Sequence, residues 1–158
     1  MPKKTNILMI RHGEKPDSGK GLTVSGQERA QAYVIYFQNY TVQSIPSASP
    51  PGQIKLNYLF AAEDSSGSDR PYLTIAPLST AIGLSIDAKH KDIDYQKLAD
   101  DILQNSKYDN SNILICWHHG EILDLATALG VDASKLPPGA NWPSHWPGGE
   151  YGWLLQLS

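Results

Sequence analysis

Residues 7–10 read Ile-Leu-Met-Ile, apolar at every position rather than at every second one. A strand of that kind suits burial on both faces, whereas a strand with one wet face alternates apolar and polar side chains. The runs at 58–62, 113–117 and 153–157 share this character and are bounded by polar or turn residues. Between them the period changes. Ala30, Tyr33, Val34 and Phe37 fall at i, i+3, i+4 and i+7 behind Thr23, a good N-cap residue. Ile122, Leu125, Ala126 and Leu129 repeat the spacing and stop at Gly130, a C-terminal cap. Tyr95, Leu98, Ala99, Ile102 and Leu103 form a third apolar face. Residues 70–83 form a fourth candidate, with Pro71 suited to a first turn and Pro77 expected to kink or shorten the helix.

Strands alternating with helices require crossover connections, which give a mostly parallel sheet covered on both sides, an open α/β fold. The 158 residues fit one domain spanning 1–158. Two stretches break the alternation. Residues 41–57, rich in Ser, Pro and Gly, read as a long excursion of the kind that is often functional or mobile, and so as a candidate lid. Residues 136–152 form a second irregular segment.

A net charge of −3 argues against nucleic acid as a partner, because a phosphate-backbone surface needs a basic patch. Cys116 is the sole cysteine, so neither an intramolecular disulfide nor a cysteine metal cage is expected. The first six residues are polar and the run at 7–10 is too short for a membrane span or a signal core, so a cytoplasmic protein without a membrane partner is expected. The oligomeric state is left open.

In an open α/β sheet the ligand site lies beyond the carboxyl ends of the strands. The first strand runs into Arg11, His12, Gly13 and Glu14, and the run at 113–117 continues into His118, His119, Gly120 and Glu121. Of only three arginines, Arg70 follows a loop containing Ser65, Ser66, Gly67 and Ser68 and opens a helix. Guanidinium groups bind tetrahedral oxyanions in bidentate fashion, and neutral imidazole is a nucleophile toward phosphorus. This combination suits a phosphoryl group. A helix starting at His119 or Gly120 would add backbone N–H groups to the same place. His118, His119 and Glu121 lack the i, i+4 spacing of helical metal ligands, so no metal site is expected there. Glu14 and His118 are read as structural, and the tail residues Trp142, Trp146 and Trp153 as packing.

These residues carry a resemblance. Arg11-His12-Gly13-Glu14, then Leu22-Thr23 with Gly26 and Arg29-Ala30, then Arg70 with Thr74, Pro77-Leu78 and Gly83-Leu84, then His119-Gly120, resemble in order and over most of the chain the histidine phosphatase superfamily. The resemblance implies a three-layer α/β/α sandwich of phosphoglycerate-mutase-like type. It implies a phosphoric monoester hydrolase, or a phosphohistidine phosphatase, in which His12 becomes a phosphohistidine. Arg11, Arg70 and His119 would surround the transferring oxygens, and no metal or organic cofactor would be needed. The substrate would be a small-molecule phosphate ester or a phosphoprotein. Mutase activity is disfavoured, because a chain this short has little room for lid segments that keep water out.

Members of the family usually supply a proton to the leaving group from a glutamate between the second arginine and the second histidine, or from an aspartate directly after that histidine. Here no glutamate lies between Pro71 and His118, and Gly120 follows His119. Glu121 is the preferred candidate, with Asp92, Asp94 or no acid at all as alternatives. Some family members acting on phosphohistidine manage without a carboxylic acid, since a phosphoramidate leaving group is easily protonated. Ser18 lies near where many relatives place an asparagine of the phosphate pocket. A second functional class is a phosphate-binding module of the same fold that turns over weakly or not at all.

Overall fold

The computed structural model describes residues 2–42, 52–136 and 138–158. Its strands are β1 (Asn6–Arg11), β2 (Tyr58–Ala61), β3 (Ile86–Asp87), β4 (Asn112–Trp117) and β5 (Leu154–Leu157). Its α-helices are α1 (Val24–Gln38), α2 (Arg70–Ile82), α3 (Tyr95–Gln104) and α4 (Ile122–Ala128). The sheet order is β3-β2-β4-β1-β5, with β5 antiparallel to β1 and all other pairs parallel. This is the α/β chain with a mostly parallel sheet that the apolar runs imply.

Consecutive residues of β1 enter different cores, which explains why each must be apolar. Ile7 and Met9 pack with Leu98, Ile102 and Leu125 of α3 and α4, while Leu8 and Ile10 pack with Phe37, Ile75 and Leu78 of α1 and α2. The Thr23 hydroxyl caps α1 by accepting from the Gly26 N–H at 3.1 Å. Gly83 ends α2 in the left-handed region at φ 68°. Pro77 lies inside α2, which continues past it to Ile82 rather than stopping there.

Three boundaries differ from the sequence expectation. The short edge strand β3 carries too little pattern to be read in advance. The fourth strand run begins at Leu154 rather than residue 153. The helix expected from His119 or Gly120 begins at Ile122, because the N–H groups of Glu121 and Ile122 both turn back to the His118 carbonyl, at 3.4 and 3.1 Å. The stem of the 41–57 excursion is closed by a Thr41–Gln53 bridge and by Val42 N–H donating to the Gly52 carbonyl at 3.1 Å. The centre of this candidate lid, residues 43–51, lies outside the described residues.

Candidate active site

The turn after β1 is fixed from three sides. The His12 N–H donates to the Trp117 carbonyl at 3.1 Å, extending the pairing of β1 with β4 beyond Arg11. The Gly13 N–H donates to the Thr74 hydroxyl at 2.8 Å, and that hydroxyl donates to the Arg70 carbonyl at 2.7 Å. One side chain thus joins the histidine turn to the first turn of α2. On the third side α1 crosses closely. A methyl at Gly26 would stand 2.9 Å from both the N and the O of Glu14, and one at Gly13 would stand 3.0 Å from the Gly26 carbonyl oxygen. Glu14 takes three hydrogen bonds from Arg29, from Nε at 3.0 and 3.1 Å and from Nη2 at 2.6 Å, and this pairing holds its carboxyl below the usual range. That geometry agrees with a structural Glu14.

His12 is 2% exposed, and its Nδ1 lies 2.7 Å from the Gly13 carbonyl oxygen. A carbonyl only accepts, so Nδ1 carries the proton and Nε2 keeps its lone pair. Burial lowers the His12 pKa to about 3, aided by His118, Arg11 and Arg70 and opposed by the Gly13 carbonyl. The ring is therefore neutral at physiological pH. Against it stands His118, edge-on with centroids 5.0 Å apart and an interplanar angle of 70°. Burial lowers His118 to about 4, with Arg70, His119 and Arg11 adding to the shift. His118 was expected to serve the structure alone, yet it is the histidine placed against His12.

Arg11 and Arg70 are 2% and 6% exposed, and neither makes an ion pair with a carboxylate among the described residues. Arg11 Nη1 donates to the carbonyls of Gly148 at 2.7 Å and Glu150 at 3.0 Å, with its plane 3.9 Å above the Tyr151 ring. Arg70 donates from Nη1 to the Gly19 carbonyl at 3.2 Å and from Nη2 to the Gly67 carbonyl at 3.4 Å. In both, Nε is buried without a partner. Burial lowers both pKa values from the usual arginine value, and Arg70 lowers Arg11 further. Buried charges are normally paired, and among the described residues these two Nε donors have no partner.

The remaining expected residues divide. His119 is half-buried; burial lowers its pKa, Arg11 and Lys15 lower it further and Glu121 raises it, so it borders the same charges. Ser18 is exposed on the loop whose Gly19 carbonyl holds Arg70. Asp94 pairs with Lys97 at 3.0 Å and is drawn away toward α3. Burial pushes the Asp92 carboxyl up to about 8, and Glu121, distant in sequence, adds to the shift. Among the described residues no cluster of three or more histidine, cysteine or carboxylate side chains is placed to hold a metal ion. A hollow of about 550 Å³ lined by Phe37, Leu56, Leu78 and Leu84 contains none of these groups. Among the described residues Lys55 is its only charged lining residue.

Tyr151 is the site residue that sequence reasoning missed, since an isolated tyrosine in an irregular tail has no periodic or spacing signal. His118 was legible only through register: Arg11 faces Trp117, and the next residues along β1 and β4 are the two histidines. No protein-family model matches the chain, and a search of curated proteins finds no match.

Proposed function

We propose that this chain is a phosphohydrolase that forms a phosphohistidine on His12, in a three-layer α/β/α fold of phosphoglycerate-mutase-like type. One observation carries the reading: two buried guanidiniums, neither in an ion pair among the described residues, act on a histidine that is kept neutral with Nε2 unprotonated. Nε2 attacks phosphorus, and the positive charge that develops on the ring is shared with the Gly13 carbonyl through Nδ1–H. Arg11 and Arg70 stabilise the equatorial oxygens, with His118 and His119 as further donors. Water then releases phosphate from His12. The catalytic power comes from positioning and electrostatics around a loose transition state, and loss of one such donor costs about 10²- to 10³-fold in rate.

Substrates would be small-molecule phosphate esters or phosphoproteins, with no metal or organic cofactor. A cytoplasmic location is compatible with the lone buried Cys116. No helix among the described residues is long and apolar enough to cross a membrane.

The test is hydrolysis of p-nitrophenyl phosphate, with an alkaline quench to trap phosphoryl-protein. Wild type is expected to turn over and to trap label, and His12→Ala to do neither. Persistent turnover in His12→Ala overturns the covalent mechanism. Vanadate binding without any hydrolysis establishes the binding module instead.

A further inference from the structure

Arg11 is a buried cation that makes no ion pair with a carboxylate among the described residues, and its Nε is buried there without a partner. If such a guanidinium is to receive an anion, it has to be held by groups that leave donors unspent. Each carbonyl takes an N–H, and a carboxylate would take two at once. The face of an aromatic ring takes none, because it attracts the cation through its π electrons.

Tyr151 supplies that face. The Arg11 guanidinium carbon lies 3.9 Å from the centroid of its ring, and the ring centroid stands 6.3 Å from that of His12 at an interplanar angle of 56°. The Tyr151 hydroxyl accepts from the Lys15 N–H at 3.3 Å, so the loop that leaves the histidine turn closes on the same side chain. The backbone on each side of Tyr151 is fixed. Before it, the Glu150 carbonyl accepts from Arg11 Nη1 at 3.0 Å and from the Trp146 indole N–H at 2.8 Å, and the Glu150 N–H donates to the Pro147 carbonyl at 3.0 Å. After it, the Gly152 N–H donates to Glu150 Oε1 at 2.7 Å. Arg70 differs: it is held through the Gly19 and Gly67 carbonyls, with no ring stacked on it among the described residues.

We infer that Tyr151 is a positioning residue for Arg11, its ring holding the guanidinium by the face so that donors of that group stay available to an oxyanion bound beside His12. This rests on the anion site of the phosphohydrolase reading. The Gly148 and Glu150 carbonyls anchor the guanidinium at one corner, Nη1, at 2.7 and 3.0 Å. A plane held at one corner can still tilt, and the ring stacked against it removes that freedom. Phosphoryl transfer is sensitive to such placement, because its rate comes from donors already in position when charge shifts onto the oxygens. Tyr151 acts through Arg11 and not on the substrate. Its contribution must therefore vanish once the guanidinium is gone.

The experiment measures vanadate affinity by titration calorimetry and p-nitrophenyl phosphate kinetics in wild type, Tyr151→Phe, Tyr151→Leu, Arg11→Gln and the double variant of Arg11→Gln with Tyr151→Leu. Tyr151→Leu is expected to weaken vanadate binding about ten- to thirtyfold and to lower kcat about tenfold. Tyr151→Phe keeps the ring and loses the bond to Lys15, and should recover both to within about threefold of wild type. In the Arg11→Gln background, Tyr151→Leu should add less than about twofold. The rescue by phenylalanine and the lost effect in the double variant are readouts that a merely structural role would not give. Should Tyr151→Leu not fold, Tyr151→Gln takes its place under the same expectations. Wild-type affinity in Tyr151→Leu, a Tyr151→Phe as weak as Tyr151→Leu, or the full loss repeated in the Arg11→Gln background overturns the inference and leaves the phosphohydrolase reading standing. Vanadate bound by wild type without any hydrolysis overturns that reading, and the affinities alone then decide the inference. Neither binding nor hydrolysis in wild type overturns both.

Discussion

The imidazoles of His12 and His118 meet edge-on, 5.0 Å between centroids, one from the end of β1 and the other from the end of β4. Their folded pKa values of about 3 and about 4 lie below the ordinary value of 6.5, chiefly through burial. In the window between, the unfolded chain binds more protons than the folded one, so stability is lost as pH falls from about 6.5 toward these values. Urea unfolding is expected to show a slope approaching about 1.4 kcal/mol per pH unit from His12 between pH 4 and 6. His12→Gln should flatten that slope. An unchanged slope would mean that the ring is already protonated in the native protein.

Anion binding should be visible as stabilisation. Vanadate at a hundredfold excess over its dissociation constant is expected to stabilise wild type by about 2.7 kcal/mol, measured as a rise in Tm. Arg70→Gln should bind at least about tenfold more weakly, losing roughly 1.4 kcal/mol or more of that gain. Its ligand-free stability should change little, because the guanidinium it removes makes no ion pair with a carboxylate among the described residues. An undiminished vanadate shift in this variant would place the anion elsewhere.

Thr74 links the histidine turn to α2 through one hydroxyl that accepts from Gly13 and donates to Arg70. Thr74→Val keeps the shape and leaves the buried Gly13 N–H unpaired, at an expected cost of about 1–3 kcal/mol in denaturant unfolding. Thr74→Ser should recover most of it. If valine is tolerated without loss, the hydroxyl bridge is not what holds the turn.

The close crossing of α1 predicts a steep response at Gly26. Gly26→Ala brings a methyl to 2.9 Å from two backbone atoms of Glu14, neither of which can rotate away. The expected cost is about 1–3 kcal/mol, with reduced turnover because the shifted backbone adjoins His12. Gly21→Ala, where a methyl meets nothing within 4 Å, is the control and should be near neutral.

Much of the fold was legible because burial on two faces leaves a plain mark. The uniformly apolar runs became β1, β2 and β4, and Thr23, Pro71 and Gly83 punctuated α1 and α2 as local chemistry requires. A two-residue edge strand leaves no such mark, and the antiparallel direction of β5 depends on how the tail returns rather than on its residues. At the site, Arg11, His12 and Arg70 stood out by type and position. The choice between His118 and His119 depended on strand register, and the influence of Glu121 on Asp92 on two separate loops, one before α3 and one after β4. Neither is encoded in local spacing.

Arg11 is aimed by the Gly148 and Glu150 carbonyls, 137 and 139 residues away along the chain. The Arg11 guanidinium is therefore hinged on the tail. A proteolytic nick near Gly148, a bulky fusion behind β5, or warming that frays this edge strand would release the guanidinium while every helix stayed folded. Inactivation by such insults should precede melting.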